Sequence, residues 1–256
     1  MDSSKNTAKR AGSLWFLKEQ IADASPGAKA RMAGVFFLLY TATGTWGYSV
    51  TQGLVVSRDA AATAANILAN ETLFRLAIAA NLVSAACYVV VTVLFYDLFR
   101  PVDRTVSRLA AFFNLTSCAI GAFDSLFQLA ALDVLKGPYL SVFSAQQLQA
   151  LALLFLKLNV RALDMGQIFF GFQWLAIGYL ILRSTFLPRI FGAIAAFSGL
   201  WYLTRLYPPI LSALFPFTLI VPAIGVMMLI LWLTIKGVDA QRWMEQASRA
   251  RESLRA

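Results

Sequence analysis

The chain has 256 residues, of which 59% are hydrophobic and only 14% charged, and its mean hydropathy of +0.67 lies outside the range of an ordinary soluble domain. The net charge of +9 comes from basic residues spread over the ends of apolar stretches, which argues against a nucleic-acid partner and for anionic lipid head groups. With no histidine and only Cys87 and Cys118 as cysteines, a disulfide framework and a four-thiolate zinc site are excluded, and no metal or cofactor is expected.

Residues 1–31 join a polar tail to the run LWFLKEQIADA, where Leu14, Trp15, Leu17 and Ile21 share one face of a short surface helix that Ser25, Pro26 and Gly27 end. The first apolar run begins only near Ala33, so no cleavable signal is expected. Six apolar stretches follow, at roughly 32–54, 72–98, 107–132, 161–183, 187–206 and 209–235. Each is about 20 residues or longer and can cross about 30 Å of hydrocarbon as a helix. Residues 32–236 thus read as one transmembrane bundle, and 237–256 as a basic amphipathic tail carrying Trp243, with Glu245 and Arg249 at i,i+4.

Two connections are longer than turns. In SRDAAATAANILANE, Asp59 is placed to cap a short helix ending near Asn70. In KGPYLSVFSAQQLQALALLFL, Gly137 and Pro138 turn the chain, and Ser144 with Gln147 forms a capping-box pattern. A helix running unbroken from there to Arg183 would reach about 60 Å, so a bend is expected near Asn159, with residues 145–158 at the outer interface. Gly192 with Ala196, Ala195 with Gly199, and Ser117 with Gly121 and Ser125 are small-residue pairs that permit close helix approach. Pro216, Pro222 and Gly225 should bend the last span.

Of the 22 basic residues, only Arg58, Arg75, Lys136, Lys157, Arg161 and Arg205 fall on one side of these spans. The other side collects the rest, which places both termini in the cytoplasm. The expected fold is an all-α integral membrane protein of six transmembrane helices, N-in and C-in, with short outer helices in the first and the third-to-fourth span connections.

At about 1.5 Å per residue, Asp124, Asn81, Tyr48, Gln167, Asp164, Arg205 and Arg75 all fall in the outer half of the membrane or at its edge. A charge in hydrocarbon costs about 2.5–3.5 kcal/mol even on insertion scales, so such groups face a protein interior and pair. Arg161 with Asp164, Glu71 with Arg75, and Asp124 with Gln128 have same-face spacings. Asp124 has no cation on its own helix, and Arg75, Arg161 or Arg205 is its expected partner. Asp124, Gln128, Arg161, Asp164, Gln167, Arg75, Asn81, Tyr48 and Arg205 together define one outward-facing ligand pocket. The plainer reading is a buried salt bridge that fixes the bundle, with Arg75 and Arg205 snorkelling from span ends. Trp46, Tyr48, Tyr139, Trp201, Tyr202 and Tyr207 read as an interfacial belt, and the two thiols as reduced.

Catalytic motifs are absent. There is no HExxH, nucleophile elbow or phosphate-binding glycine loop. Asp124 with Asp164 is the only couple that a paired-aspartate mechanism could use, and Arg161 is expected to neutralise Asp164.

The stretches VSRDAAATAANILANETLFR, LFYDLFRPVDR, FSAQQLQALALLFLKL and IFFGFQWLAIGYLILRSTFLPRIFG resemble the bacterial membrane family catalogued as domain of unknown function 4386, from about Ala30 to Val238. The resemblance implies a six-span prokaryotic protein of the cell inner membrane and no established activity. Members of that family often carry histidine where this chain has Asn159 and Gln173, which share a helix face fourteen residues apart. A paired-histidine metal site or relay is therefore not available here. The leading functional reading is binding or passage of a small polar or amphiphilic molecule in the outer pocket. The alternatives are a non-catalytic accessory subunit of a larger membrane complex, or a homo-oligomer, and third an intramembrane enzyme.

Overall fold

The computed structural model describes residues 25–137, 142–207 and 217–252. Its elements are α1 (Pro26–Leu54), α2 (Ala60–Ala69), α3 (Glu71–Phe99), α4 (Arg104–Lys136), α5 (Ala145–Arg183), α6 (Arg189–Leu203) with a 3-10 turn over Thr204–Leu206, α7 (Phe217–Ile235) and α8 (Ala240–Glu252). No strand occurs among the described residues. The expected N-terminal surface helix, Pro138, Tyr139 and Pro216 lie outside them.

The helix ends follow from local chemistry. Ser25 and Pro26 start α1 where the sequence suggested a stop: the Ser25 hydroxyl accepts from the Ala28 N–H at 3.2 Å, and proline occupies the first turn, where its missing N–H costs nothing. Asp59 caps α2 through the Ala62 N–H at 2.9 Å, and Ser144 and Gln147 close a reciprocal capping box on α5. Helix α5 then runs unbroken for 39 residues through Asn159, so residues 145–158 belong to the same helix as the span that follows and are not a separate outer helix. Gly237, at φ +70°, turns the chain after α7, a conformation that only glycine adopts without strain.

Helix α8 folds back at 96° to the last turns of α7. Its Trp243 indole N–H donates to the Leu98 carbonyl at 2.8 Å, and Gln246 accepts from the Thr185 N–H at 3.0 Å. These bonds occupy orphan carbonyls and amides where α3 and α5 end.

Two apolar clusters form the interior. The larger gathers Phe37, Tyr88, Leu94, Trp174, Ile181 and Leu233 from α1, α3, α5 and α7. The smaller gathers Leu54, Ile67, Phe74, Leu132 and Leu156 from α1–α5. Helix α2 is thereby a lid on the smaller cluster. Between α5 and α6 the packing rests on small residues: a side chain on Gly178 would meet the Ala196 backbone nitrogen at 2.6 Å, and one on Gly199 the Gly171 carbonyl at 2.8 Å. Gly121 differs from the expectation. No described atom stands within 4 Å of its would-be side chain, and the close approach of α4 to α5 is made by Ser117, whose hydroxyl donates to the Gly166 carbonyl at 2.9 Å.

Among the described residues three helices are long and apolar enough to cross a membrane: α3, α4 and α5. A fourth arises if the bent pair Ile224–Ile235 and Ala240–Glu252 counts as one span. Helix α6 has 15 residues, about 22 Å, and falls short of the hydrocarbon thickness. The all-helical bundle with several such helices makes this a membrane protein.

Candidate functional site

The two apolar clusters are separated by a layer where side chains turn polar or small. On α4 the layer holds Asp124, Ser125 and Gln128; on α5 it holds Asn159. All four are buried, Asp124 with only 7% of its surface exposed. On α1 and α3 the same layer brings Gly44 against Ser84 and Gly47 against Asn81, with the Ser84 hydroxyl donating to the Tyr40 carbonyl at 2.9 Å.

The hydrogen bonds in the layer have a direction. The Asn159 amide NH2 donates to the Asp124 main-chain carbonyl at 3.0 Å, which fixes Asn159 so that its own oxygen faces Gln128. Gln128 donates its NH2 to that oxygen at 3.3 Å. The Gln128 carbonyl oxygen is consequently left buried with no partner, and so is the Ser125 hydroxyl. Asp124 makes no ion pair among the described residues. The layer therefore holds more acceptor oxygens, on Asp124 and Gln128, than the free donor of the Ser125 hydroxyl can satisfy, a costly arrangement in an apolar surround unless something supplies donors.

The other residues expected in the pocket are distributed differently. Arg75 is half exposed and bonds Glu71 at 2.9 Å, and Glu71 also takes Lys136 at 2.5 Å. These three charges form a surface network with the Glu71–Arg75 pairing that the sequence spacing suggested. Arg161 is exposed and is not the partner of Asp164. That partner is Arg205, at 3.7 Å, brought from the end of α6 by helix packing that i,i+3 spacing cannot register. Gln167 is half-buried, with a buried side-chain oxygen that has no partner, and Tyr48 is exposed. Of the three arginines proposed for Asp124, none is paired with it. The two aspartates of the conceivable catalytic couple have different surroundings, one unpaired and buried, the other half exposed beside Arg205.

A second polar centre lies around Gln173, which the sequence marked only as one of two positions where the resembled family carries histidine. Gln173 and the Tyr88 hydroxyl are hydrogen-bonded at 3.1 Å deep in the larger cluster. Tyr88 lies against Tyr40, ring centroids 4.3 Å apart, and against Phe170 at 5.3 Å; Tyr202 meets Phe170 edge-on at 4.9 Å. Tyr202 thus packs inside rather than in the interfacial belt. Nearby the Asn114 NH2 donates to the Thr92 hydroxyl, and the Asn114 oxygen is buried without a partner. The sequence signal was an asparagine in an apolar run, which depth counting towards the outer half passed over.

Cys87 and Cys118 are both free thiols. No group of three or more metal-ligating side chains occurs among the described residues. On the outside of the α4–α5 pair, Ala119, Ile120, Phe123, Phe127, Ala162 and Met165 line an open apolar groove of about 480 Å³.

No curated protein and no solved structure matches the chain. A family model does, over residues 32–237, close to the limits of the resemblance seen in the sequence. The chain belongs to the family described as domain of unknown function DUF4386.

Proposed function

We propose that this is a six-span protein of a bacterial inner membrane, with both termini cytoplasmic, that binds or passes a small polar or amphiphilic molecule in the layer around Asp124. The observation that carries the reading is the buried carboxylate without a counter-ion, beside the unpartnered Ser125 hydroxyl and Gln128 oxygen. Intramembrane ionisable groups mark functional sites by default. Acceptor oxygens in excess select a guest that brings N–H or O–H donors or a positive charge. Small amines and amphiphilic amines fit that description. The basic tail and Arg31 near the start of α1 face anionic head groups in this orientation.

The test is ligand-dependent melting of the purified chain with ethylamine, choline and dodecylamine. A ligand at about 100 times its Kd stabilises by about 2.7 kcal/mol, so the wild type should melt higher with one of them and Asp124→Asn should not. Absence of any shift across the series counts against the site.

The groove lined by Phe123, Phe127 and Met165 favours a second reading, an accessory subunit that packs on a larger membrane complex. Stoichiometric partners that survive purification would support it.

A further inference from the structure

On α4 the neighbours of Asp124 divide into two sides. Gln128 and Ser125, whose buried oxygens have no partner, stand about 40° and about 100° round the helix on one side. Ile120, Phe127 and Phe123, which wall the apolar groove, stand about 40°, about 60° and about 100° round on the other. Asp124 is therefore the boundary between the polar layer and the groove. Helix α5 repeats the division. Asn159 bonds the Asp124 carbonyl and faces the layer, while Ala162 and Met165, about 60° and about 120° round from it, complete the groove. The pairings of Gln128 with Asn159 and of Ser117 with Gly166 make α4 and α5 antiparallel, so these offsets bring both walls to the same edge of the pair.

The groove opens on the outer surface of the two helices, with Phe123 and Met165 59% and 62% exposed. Its volume is about 480 Å³. At about 30 Å³ for a group the size of a water, as a methylene is, that space takes about sixteen carbons, one chain and not two. Apolar shape alone selects nothing in hydrocarbon, since a lipid tail is as apolar as any other chain. The selecting element is the charge at the inner wall. Asp124 has no counter-ion among the described residues, and a carboxylate inside a membrane is costly until one is supplied. A chain that carries an ammonium supplies it, and an ordinary lipid tail does not.

We infer that the α4–α5 groove holds the alkyl chain of a long-chain primary amine whose ammonium head lies against Asp124, so that the occupant enters sideways from the bilayer. A primary ammonium brings three N–H donors. The Asp124 carboxylate and the unpartnered Gln128 oxygen, one helical turn further on, accept two of them. A trimethylammonium head of the same charge has no N–H to offer, and an alcohol has no charge. The chain runs along Phe123 to Ala119, where the groove ends nearest the middle of α4. The inference rests on Asp124 being the binding group proposed above and assigns the groove to the same site.

The test uses the full chain in phosphatidylcholine nanodiscs and compares dodecylamine, dodecyltrimethylammonium and dodecanol at equal mole fraction in the lipid, which removes differences in partitioning. The amine should raise the melting temperature at least twice as far as either analogue. Dodecylamine carrying a diazirine at the chain end should label residues 117–127 and 162–166 at least fivefold more than the dodecanol counterpart, and Asp124→Asn should bring the two level. Ala119→Phe reads the chain itself. Ala119 is exposed, so the ring displaces no packed atom and the free protein should melt as before, but the end of the groove is filled. Dodecylamine should then lose its shift while ethylamine keeps its own. Equal shifts for the amine and either analogue, equal labelling by amine and alcohol, or a dodecylamine shift untouched by Ala119→Phe would overturn the inference. Ethylamine shows which reading fails: a shift with ethylamine but none with dodecylamine leaves the Asp124 site standing without the groove, and no shift with any amine sinks the site and the groove's occupant with it.

Discussion

Asp124 decides which electrostatic account applies at the level of single residues. Had it been paired with an arginine from another span, Asp124→Asn would strand a buried cation and cost about 3–5 kcal/mol. It has no such partner among the described residues, so the sign reverses: an amide replaces an uncompensated buried carboxylate of nearly the same shape, removing a penalty of at least about 1–3 kcal/mol. Asp124→Asn should therefore melt higher than the wild type, at about 2–4 °C per kcal/mol. A lower melting temperature would mean that a cation does hold the carboxylate. That an aspartate sat inside the apolar bundle was legible from an acidic residue in the middle of a long apolar run. Its lack of a partner was not, because the candidates were judged by depth along their helices. Depth says nothing about the direction in which a side chain leaves the helix. Arg205 matched both aspartates in depth and went to Asp164.

At the scale of elements, the same distinction separates glycines that look alike in sequence. Gly178 faces α6, and an added methyl would sit 2.6 Å from the Ala196 nitrogen and 2.8 Å from its Cβ. Backbone cannot yield as a flexible side chain does, so Gly178→Ala must push the two helices apart, a cost of about 1–3 kcal/mol for overpacking. Gly121 has no described neighbour within 4 Å, and Gly121→Ala should instead gain up to about 1 kcal/mol of helix propensity. Opposite melting shifts in the two variants are the expected result; equal losses would place a helix against Gly121 as well. Helix starts were readable one by one, since Asp59 and Ser144 cap by local hydrogen bonds that any chain would form. Ser25–Pro26 was read as a stop because proline ends a helix before it but also opens one behind it. The bend expected near Asn159 rested on length alone. What sustains 39 residues of helix is burial of one face in both halves, against the smaller cluster through Ala152 and Leu156 and against the larger cluster through Trp174 and Ile181.

For the whole molecule, topology follows from which helices cross the membrane. Helices α3, α4 and α5 suffice by length and apolarity, but a chain with three spans would put its termini on opposite sides. Helix α1 packs along α3, placing Phe37 against Tyr88 and Phe95 at ring distances of 5.3 Å and 6.3 Å, and α6 packs along α5 through Gly178 and Gly199. An element that shares the buried faces of spanning helices shares their solvent, so α1, α6 and α7 should lie in the bilayer too. Helix α8, basic and bonded to Leu98 and Thr185, lies beside the ends of α3 and α5, and in the orientation proposed above that face is the cytoplasmic one. Reporters fused after Lys236 should therefore give the cytoplasmic signal. Single cysteines placed at Asp59 and Lys136, in a background with Cys87 and Cys118 replaced, should label from outside intact cells with a membrane-impermeant maleimide. Labelling of the α8 tail from outside would invert the bundle and put the Asp124 layer towards the cytoplasm. Labelling of Asp59 and the α8 tail from the same side would mean that the spans between them are even in number, not the five from α3 to α7 that this arrangement requires, and one of α6 or α7 would have to leave the bilayer.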